Sequence, residues 1–420
     1  MNIASARAAF LGMFLTAQAV TAVEDGDWPC FHGSDRSNRS SDNALMTIWP
    51  DEGPALLWAA TNIGHGYSSV AIAGERIFTA GTIGKDTHVT ALSLDGKKLW
   101  QGLAGESWQA SERQQWAVPY SGSRATPTVD GDTVYFLSEM GRLNAFDASN
   151  GNVRWTVDVA RTFEAERPKY GYSESVLVHG DKLFCCPAGR KGYMAAFDKS
   201  NGALVWTNTE IDDPVGYSSS VPARIGEKLQ IVSLTSSRVF AVNPDDGKLL
   251  WQYLFGNKRS NNATDVIVHD GLVYVSSGYG RGSALLRPAR AEDGAFVVES
   301  VWESELLDNH HGGVVLVDGY LYGAGHQSEG WFCLSIKDGR KCWHKEGKGS
   351  LTYAEGHLYC LDEKGEMSLV RADPGKYAAT SSFEVPRGGR GAYWAHPVVC
   401  HGRLHVRHSD KLYAYDIRKR

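Results

Sequence analysis

Three things are in short supply in this chain. The first is surplus positive charge. The 43 Lys and Arg fall short of the 48 Asp and Glu, leaving a net charge of −5, which excludes a basic surface for nucleic acid or anionic membrane. The second is long apolar runs. Ala8 to Ala17 is mostly apolar but too short to cross a bilayer, and nothing later in the chain is apolar enough. The third is cysteine. There are seven, an odd number, so in an exported chain at least one has no partner within the chain. Motifs are missing as well. There is no C-x-x-C-H for a c-type haem, no phosphate-binding P-loop, no H-E-x-x-H and no catalytic triad.

What is present begins with targeting. Arg7, the short apolar stretch, and the small residues Ala17-Gln18-Ala19 and Val20-Thr21-Ala22 have the layout of a signal peptide. Residues 1–22 are read as that signal, cleaved or retained as an anchor, and the chain as periplasmic or extracellular. Residues 23–52 are polar and turn-rich. They read as an N-terminal arm over the domain, with Trp28 and Trp49 as apolar pegs, although a disordered leader has the same composition.

From residue 53 to 420 one phrase recurs. It is clearest in LNAFDASNGNVRW (Leu143 to Trp155) and MAAFDKSNGALVW (Met194 to Trp206). Its Trp falls at 58, 100, 155, 206, 251, 302 and 343, with Phe383 next in place. Such spacing fits the four-stranded blade of a propeller. Each unit also has a front half, such as ATPTVDGDTVYFLS (Ala125 to Ser138), alternating at period two around a Gly turn. Front and back halves each number eight. The last back half stops before its Trp strand, and PALLWAA (Pro54 to Ala60) precedes any front half. The predicted fold is therefore all-β, an eight-bladed β-propeller of four-stranded antiparallel blades, with the N-terminal strand closing the last blade. An open array or two smaller rings are the alternatives. The repeated Trp reads as a structural peg between blades, worth about 1.5–3 kcal/mol, and the turn Asp and Gly as scaffold.

The pattern A-x-D-x-x-x-G-x-x-x-W around Trp155 and Trp206 resembles the pyrroloquinoline quinone (PQQ) repeat. That repeat is shared by quinoprotein alcohol dehydrogenases and by the BamB-like propeller lipoprotein of outer-membrane assembly. WPCFHGSDRSNRS, NHHGGVVLVDGYLYG and YWAHPVVCHGRLHVR resemble exported PQQ-like propellers of planctomycete-type bacteria. These resemblances imply a fold and a compartment more firmly than a reaction.

In a propeller the first strand of each blade lines the central channel, so the residues before the front-half strands are the ones to inspect. They supply Tyr67, Arg124, Tyr172, Glu174, Tyr217, Asp265, Asn309, His310, His311, Tyr353, Trp394 and His396 as candidate ligand-binding residues at the channel mouth. Gly-Tyr-Ser occurs three times there. Small residues that let strands crowd at the axis are the competing account. The first functional reading is an exported, non-catalytic binding or scaffold module, a monomer, holding a small molecule, a glycan or a protein partner at this mouth. The second is a PQQ- and calcium-dependent alcohol dehydrogenase, with Glu174, Asn309 and Asp265 as calcium candidates. A hydrolase using His310 or Glu174 as base is the third, which makes Glu174, Asp265 and His310 the catalytic candidates. Against the dehydrogenase stand the missing haem motif and the absence of long insertions. The adjacent Cys185 and Cys186 lie on a strand, where they face opposite ways. Without a Cys at the cleavage site, the likeness to the lipoprotein is one of fold. Cys333 and Cys342 flank a turn, where a cross-strand disulfide and two unbonded thiols both fit.

Overall fold

A computed structural model describes residues 26–110, 117–118, 120–292 and 294–419. The signal-like residues 1–22 lie outside them. The short runs of β-branched and aromatic residues fold as strands because glycine turns punctuate them. Thr133–Leu137 (TVYFL), between the turns at Gly131 and Gly141, is buried along its whole length. Eight antiparallel sheets result, seven of them of four consecutive strands or their equivalent. We number the blades 1 to 8 from the innermost strands Ala71–Ala73, Thr128–Asp130, Leu177–His179, Val221–Ile225, Ile267–His269, Val314–Val317, Gly349–Ala354 and Val398–Cys400. Blade 8 is completed by Ala55–Ala60, antiparallel to Lys411–Asp416, with Trp58 opposite Ala414. The ring thus closes through the N-terminal strand, as the leftover pieces of sequence indicate. Blade 7 departs from the pattern by adding a fifth strand, Arg39–Ser40, parallel to Tyr353–Ala354.

The recurrent Trp is structural. Trp58, Trp100, Trp155, Trp206, Trp302 and Trp343 each donate an indole N–H to a backbone carbonyl of the following blade, on Leu94, Ala148, Lys199, Pro244, Ile336 and Asp373. For all of these but Trp343, the turn glycine of that following blade lies flat on the indole. A Cβ on Gly151 (φ +76°) would stand 2.5 Å from Trp100. The glycine is required twice over, for its left-handed backbone and for the close approach. The turn acids act as expected: Asp147 Oδ1 accepts the Ser149 N–H at 2.9 Å, and Asp198 Oδ1 the Ser200 N–H at 2.8 Å. Trp251 departs, bonding Gln230 Oε1 of its own blade instead.

The arm does more than cover the domain. Its residues 28–40 cross the axis and plug one end of the channel. Trp28 pairs with Ile72 of blade 1, and Pro29 O accepts from Val129 of blade 2. The Arg36 guanidinium, buried, donates to the carbonyls of Ser175, Val176 and Ser220 in blades 3 and 4, at 2.7 to 3.1 Å. Asn38 Nδ2 donates to Leu351 O of blade 7. Both pegs are buried, Trp28 against Ile72 and Val398, Trp49 against Tyr359 and Phe383.

All seven cysteines are free thiols. Cys333 and Cys342 are neighbours at the bulge of their hairpin, one buried and one exposed, and are not joined. Cys185 packs into the core between blades 2 and 3, Cys186 into that between blades 3 and 4, as strand alternation requires.

Candidate functional site

The plug forms the floor of a cavity at the opposite mouth. It holds about 240 Å³ and is walled mainly by aromatic side chains. A simple register rule places its walls. Ser69, Thr126, Ser175, Ser219, Asp265, Gly312 and His396 each lie two residues before an innermost strand. The residues two further back are Tyr67, Arg124, Ser173, Tyr217, Ala263, His310 and Trp394, and all seven border the cavity. Extended chain repeats its facing every second residue, so both sets look at the axis.

The first set also welds the blades together. Ser69 N–H donates to Thr126 Oγ1 at 3.0 Å, Thr126 N–H to Ser175 Oγ at 2.9 Å, Ser175 N–H to Ser219 Oγ at 3.0 Å and Ser219 N–H to Asp265 Oδ1 at 2.6 Å. This ladder runs from blade 1 to blade 5. Ser69 Oγ closes the other side onto His396 O of blade 8 at 2.7 Å. It is the physical use of the small polar residues at the axis.

Eight of the twelve sequence candidates meet here: Tyr67, Arg124, Tyr217, Asp265, His310, His311, Trp394 and His396. Four do not. Tyr172 and Glu174 fall one residue off the axial register and turn into the blades. The Tyr172 hydroxyl donates to Pro187 O, and the Glu174 carboxylate accepts the Cys186 N–H with both oxygens. Asn309 is consumed by Thr264, Gly313 and Ala324. Tyr353 lies at the far end of its strand, stacked under Arg39 of the arm. The calcium candidates Glu174, Asn309 and Asp265 therefore do not converge, and the described residues contain no group of three or more His, Cys, Asp or Glu placed to hold a metal. The donor set does not fit the calcium of a quinoprotein site.

Sequence reasoning missed Phe31, Tyr120, Tyr170 and Tyr279. Phe31 belongs to the plug, and the others sit on connections whose path no periodicity reveals. Tyr120 stacks on Trp394 with ring centroids 5.0 Å apart, and Tyr279 meets His310 edge-on at 5.0 Å.

The walls are electrically quiet. Burial pushes His310 and His396 down to about 3 and His311 well below its usual range, so these imidazoles are neutral. Burial raises the phenols of Tyr67 and Tyr217 to about 12. A His310 so depressed is a poor general base at neutral pH. Arg124 spends its guanidinium on the carbonyls of Tyr170 and Tyr120, at 2.9 and 2.7 Å. Asp265 is the carboxylate bordering the cavity. The arrangement favours holding a ligand over transferring its protons.

A family model described as outer membrane protein assembly factor BamB matches residues 31–166 and 85–345, most of the chain. The chain belongs to this family. Among BamB proteins, that of Yersinia pestis is 26% identical over 392 residues, covering 86% of this chain and 88% of that one. The crystal structure of BamB from Moraxella catarrhalis superposes with a TM-score of 0.59 at 15% identity, over 87% of this chain and 98% of its own. A europium-containing methanol dehydrogenase superposes at 0.66 with 13% identity, over 91% and 90%. These two likenesses show the fold, which BamB and the quinoprotein dehydrogenases share. No helix among the described residues is long and apolar enough to cross a membrane.

Proposed function

We propose that this BamB-family chain is an exported, non-catalytic binding propeller that captures a small molecule, a glycan or a projecting group of a protein partner in the mouth cavity. One observation carries the reading. Seven blades each contribute an axial residue to a single aromatic-lined recess, and a separate segment of chain seals its floor. A solvated channel needs neither. Relatives named for outer-membrane assembly, together with the signal-like residues 1–22, support an envelope location. The test is native mass spectrometry of the purified chain after incubation with extract of its own cell envelope, alongside thermal melts. A discrete adduct that raises the melting temperature and disappears in Tyr217→Ala is expected. No adduct and no stabilisation would sink the reading.

A further inference from the structure

The outermost hairpin of every blade carries the same irregularity. One extra residue bulges in the outermost strand, so that two residues there oppose one on the neighbouring strand. The bulged residue and the one it faces are Leu99 and Ala91 in blade 1, Val205 and Ala196 in blade 3, and Leu250 and Ala241 in blade 4. Of the eight blades, blade 6 alone places a cysteine at both positions. Cys342 is the bulged residue of Lys341–Lys345, and Cys333 faces it from Gly330–Ser335.

Packing accounts for one of the two thiols and not for the other. The inner position asks for a small apolar residue, as the alanines show, and a buried Cys333 meets that need. Cys342 is exposed and gains nothing by burial. The spacing suits a bond between them. Opposed residues of an antiparallel pair stand roughly 4.5–5.5 Å apart at Cα, inside the roughly 4.4–6.8 Å that a disulfide spans. Burial first, and the neighbouring Cys342 second, push the Cys333 thiol up.

We propose that Cys333 and Cys342 form a reversible disulfide site, of which the structure is the dithiol form, and that a disulfide-bearing oxidant closes it by thiol–disulfide exchange. Cys342, as thiolate, attacks one sulfur of the oxidant, whose other half leaves as a thiol. Cys333 then attacks the Cys342 sulfur, and the second half leaves as a thiol. Two electrons and two protons pass from the cysteine pair to the oxidant. The second step is slow, because burial holds Cys333 protonated, so brief exposure to a disulfide reagent modifies Cys342 alone. The bond staples the outermost strand of blade 6, five residues long and at the edge of its sheet, to its neighbour. An exported chain, as the signal-like residues 1–22 indicate, meets such oxidants. The pair shares no residue with the mouth cavity, so the site stands whether or not a ligand binds there.

The test equilibrates the purified, reduced chain overnight in mixtures of glutathione and glutathione disulfide. Free thiols are then blocked with N-ethylmaleimide in mildly acidic denaturant, and the intact mass and tryptic peptides are read. Trypsin separates the two cysteines by cutting at Lys337, Arg340 and Lys341. As the mixture turns oxidising, the chain is expected to lose two blocked thiols and to yield a linked peptide pair carrying Cys333 and Cys342. Dithiothreitol should restore both. Cys333→Ala, which takes the residue other blades use, should stop with one glutathione on Cys342; thermal melts check that it folds. Glutathione stalled on Cys342 of the wild type would overturn the proposal. So would a bond from Cys342 to any other cysteine or to a second chain, or seven blocked thiols in the most oxidising mixture.

Discussion

The backbone N–H of Ser219 donates to Asp265 Oδ1 at 2.6 Å, joining blade 4 to blade 5 at the axis. The equivalent bond from Thr126 to Ser175 Oγ is 2.9 Å. Ser175→Ala leaves the buried Thr126 N–H without an acceptor. We expect a loss of about 1–3 kcal/mol, read as a lower urea midpoint. Asp265→Asn, which retains an acceptor oxygen, is expected to stay within about 1 kcal/mol of wild type.

The indole of Trp100 and the turn at Gly151 share one socket. Gly151→Ala places a methyl 2.5 Å from the indole at φ +76°, and should cost about 1–3 kcal/mol through overpacking and backbone strain. Gly131→Ala, where a Cβ meets nothing within 4 Å at φ +57°, carries the backbone strain alone and should cost less. Equilibrium unfolding of the pair separates the two contributions.

Arg407 holds the closing seam. Almost fully buried, it donates to the carbonyls of Ser68, Ala80 and Gly64 in and before blade 1, as well as to Thr79 Oγ1 and Ser409 O. Arg407→Met strands those carbonyls, and we expect a loss of about 3 kcal/mol or more. Limited proteolysis should then cut first near the junction of blades 8 and 1.

Stability should depend on pH through buried imidazoles. Burial, aided by Arg403 and His401, pushes His405 from 6.5 down to about 3. The unfolded chain therefore binds more protons in that interval. The stability contributed by neutral His405 is complete above 6.5 and is lost as pH falls through about 3. Glu174 runs the other way: burial raises it from 4.5 to about 7, so its contribution is complete below 4.5 and is lost as pH rises through about 7. Urea midpoints should fall on acidification below 6.5. His405→Gln should flatten that fall, and Glu174→Gln should steepen it.

Native protein should offer one reactive thiol. Cys342 is exposed and the other six cysteines are buried. A chromogenic disulfide reagent is expected to titrate one thiol in buffer and seven in denaturant. A count of none in buffer and five in denaturant would mean that Cys342 had joined another cysteine, Cys333 being its neighbour across the hairpin.

The ring and its closure were legible because they rest on local chemistry that recurs from blade to blade: a glycine that lies under a tryptophan at five junctions, an aspartate that caps its own turn, and a terminal strand left over at each end. The site was legible wherever alternation could be counted correctly from the innermost strand. Tyr67, Tyr217 and Trp394 keep that count. In GYSES the Gly-Tyr-Ser phrase is displaced by one residue, so Ser173 takes the axial place and Tyr172 and Glu174 turn away. What the sequence could not reveal is long-range. Arg36 finds its three carbonyls 139 to 184 residues away, and nothing near it in the chain announces that it crosses a channel.

The closure of the ring sets an order of events. Ala55–Ala60 awaits Lys411–Asp416, and Arg39–Ser40 awaits Tyr353–Ala354. A chain delivered from its N-terminus can seat Trp28, Pro29 and Arg36 as blades 1 to 4 emerge, but Arg39–Ser40 has no partner strand until blade 7 arrives and Ala55–Ala60 none until blade 8 does. Until then the assembly is a split washer with two bare strand edges. A stop codon only ten residues early would keep it so, exposing edges that invite pairing between molecules. The quality of the whole product is inspected at its final step.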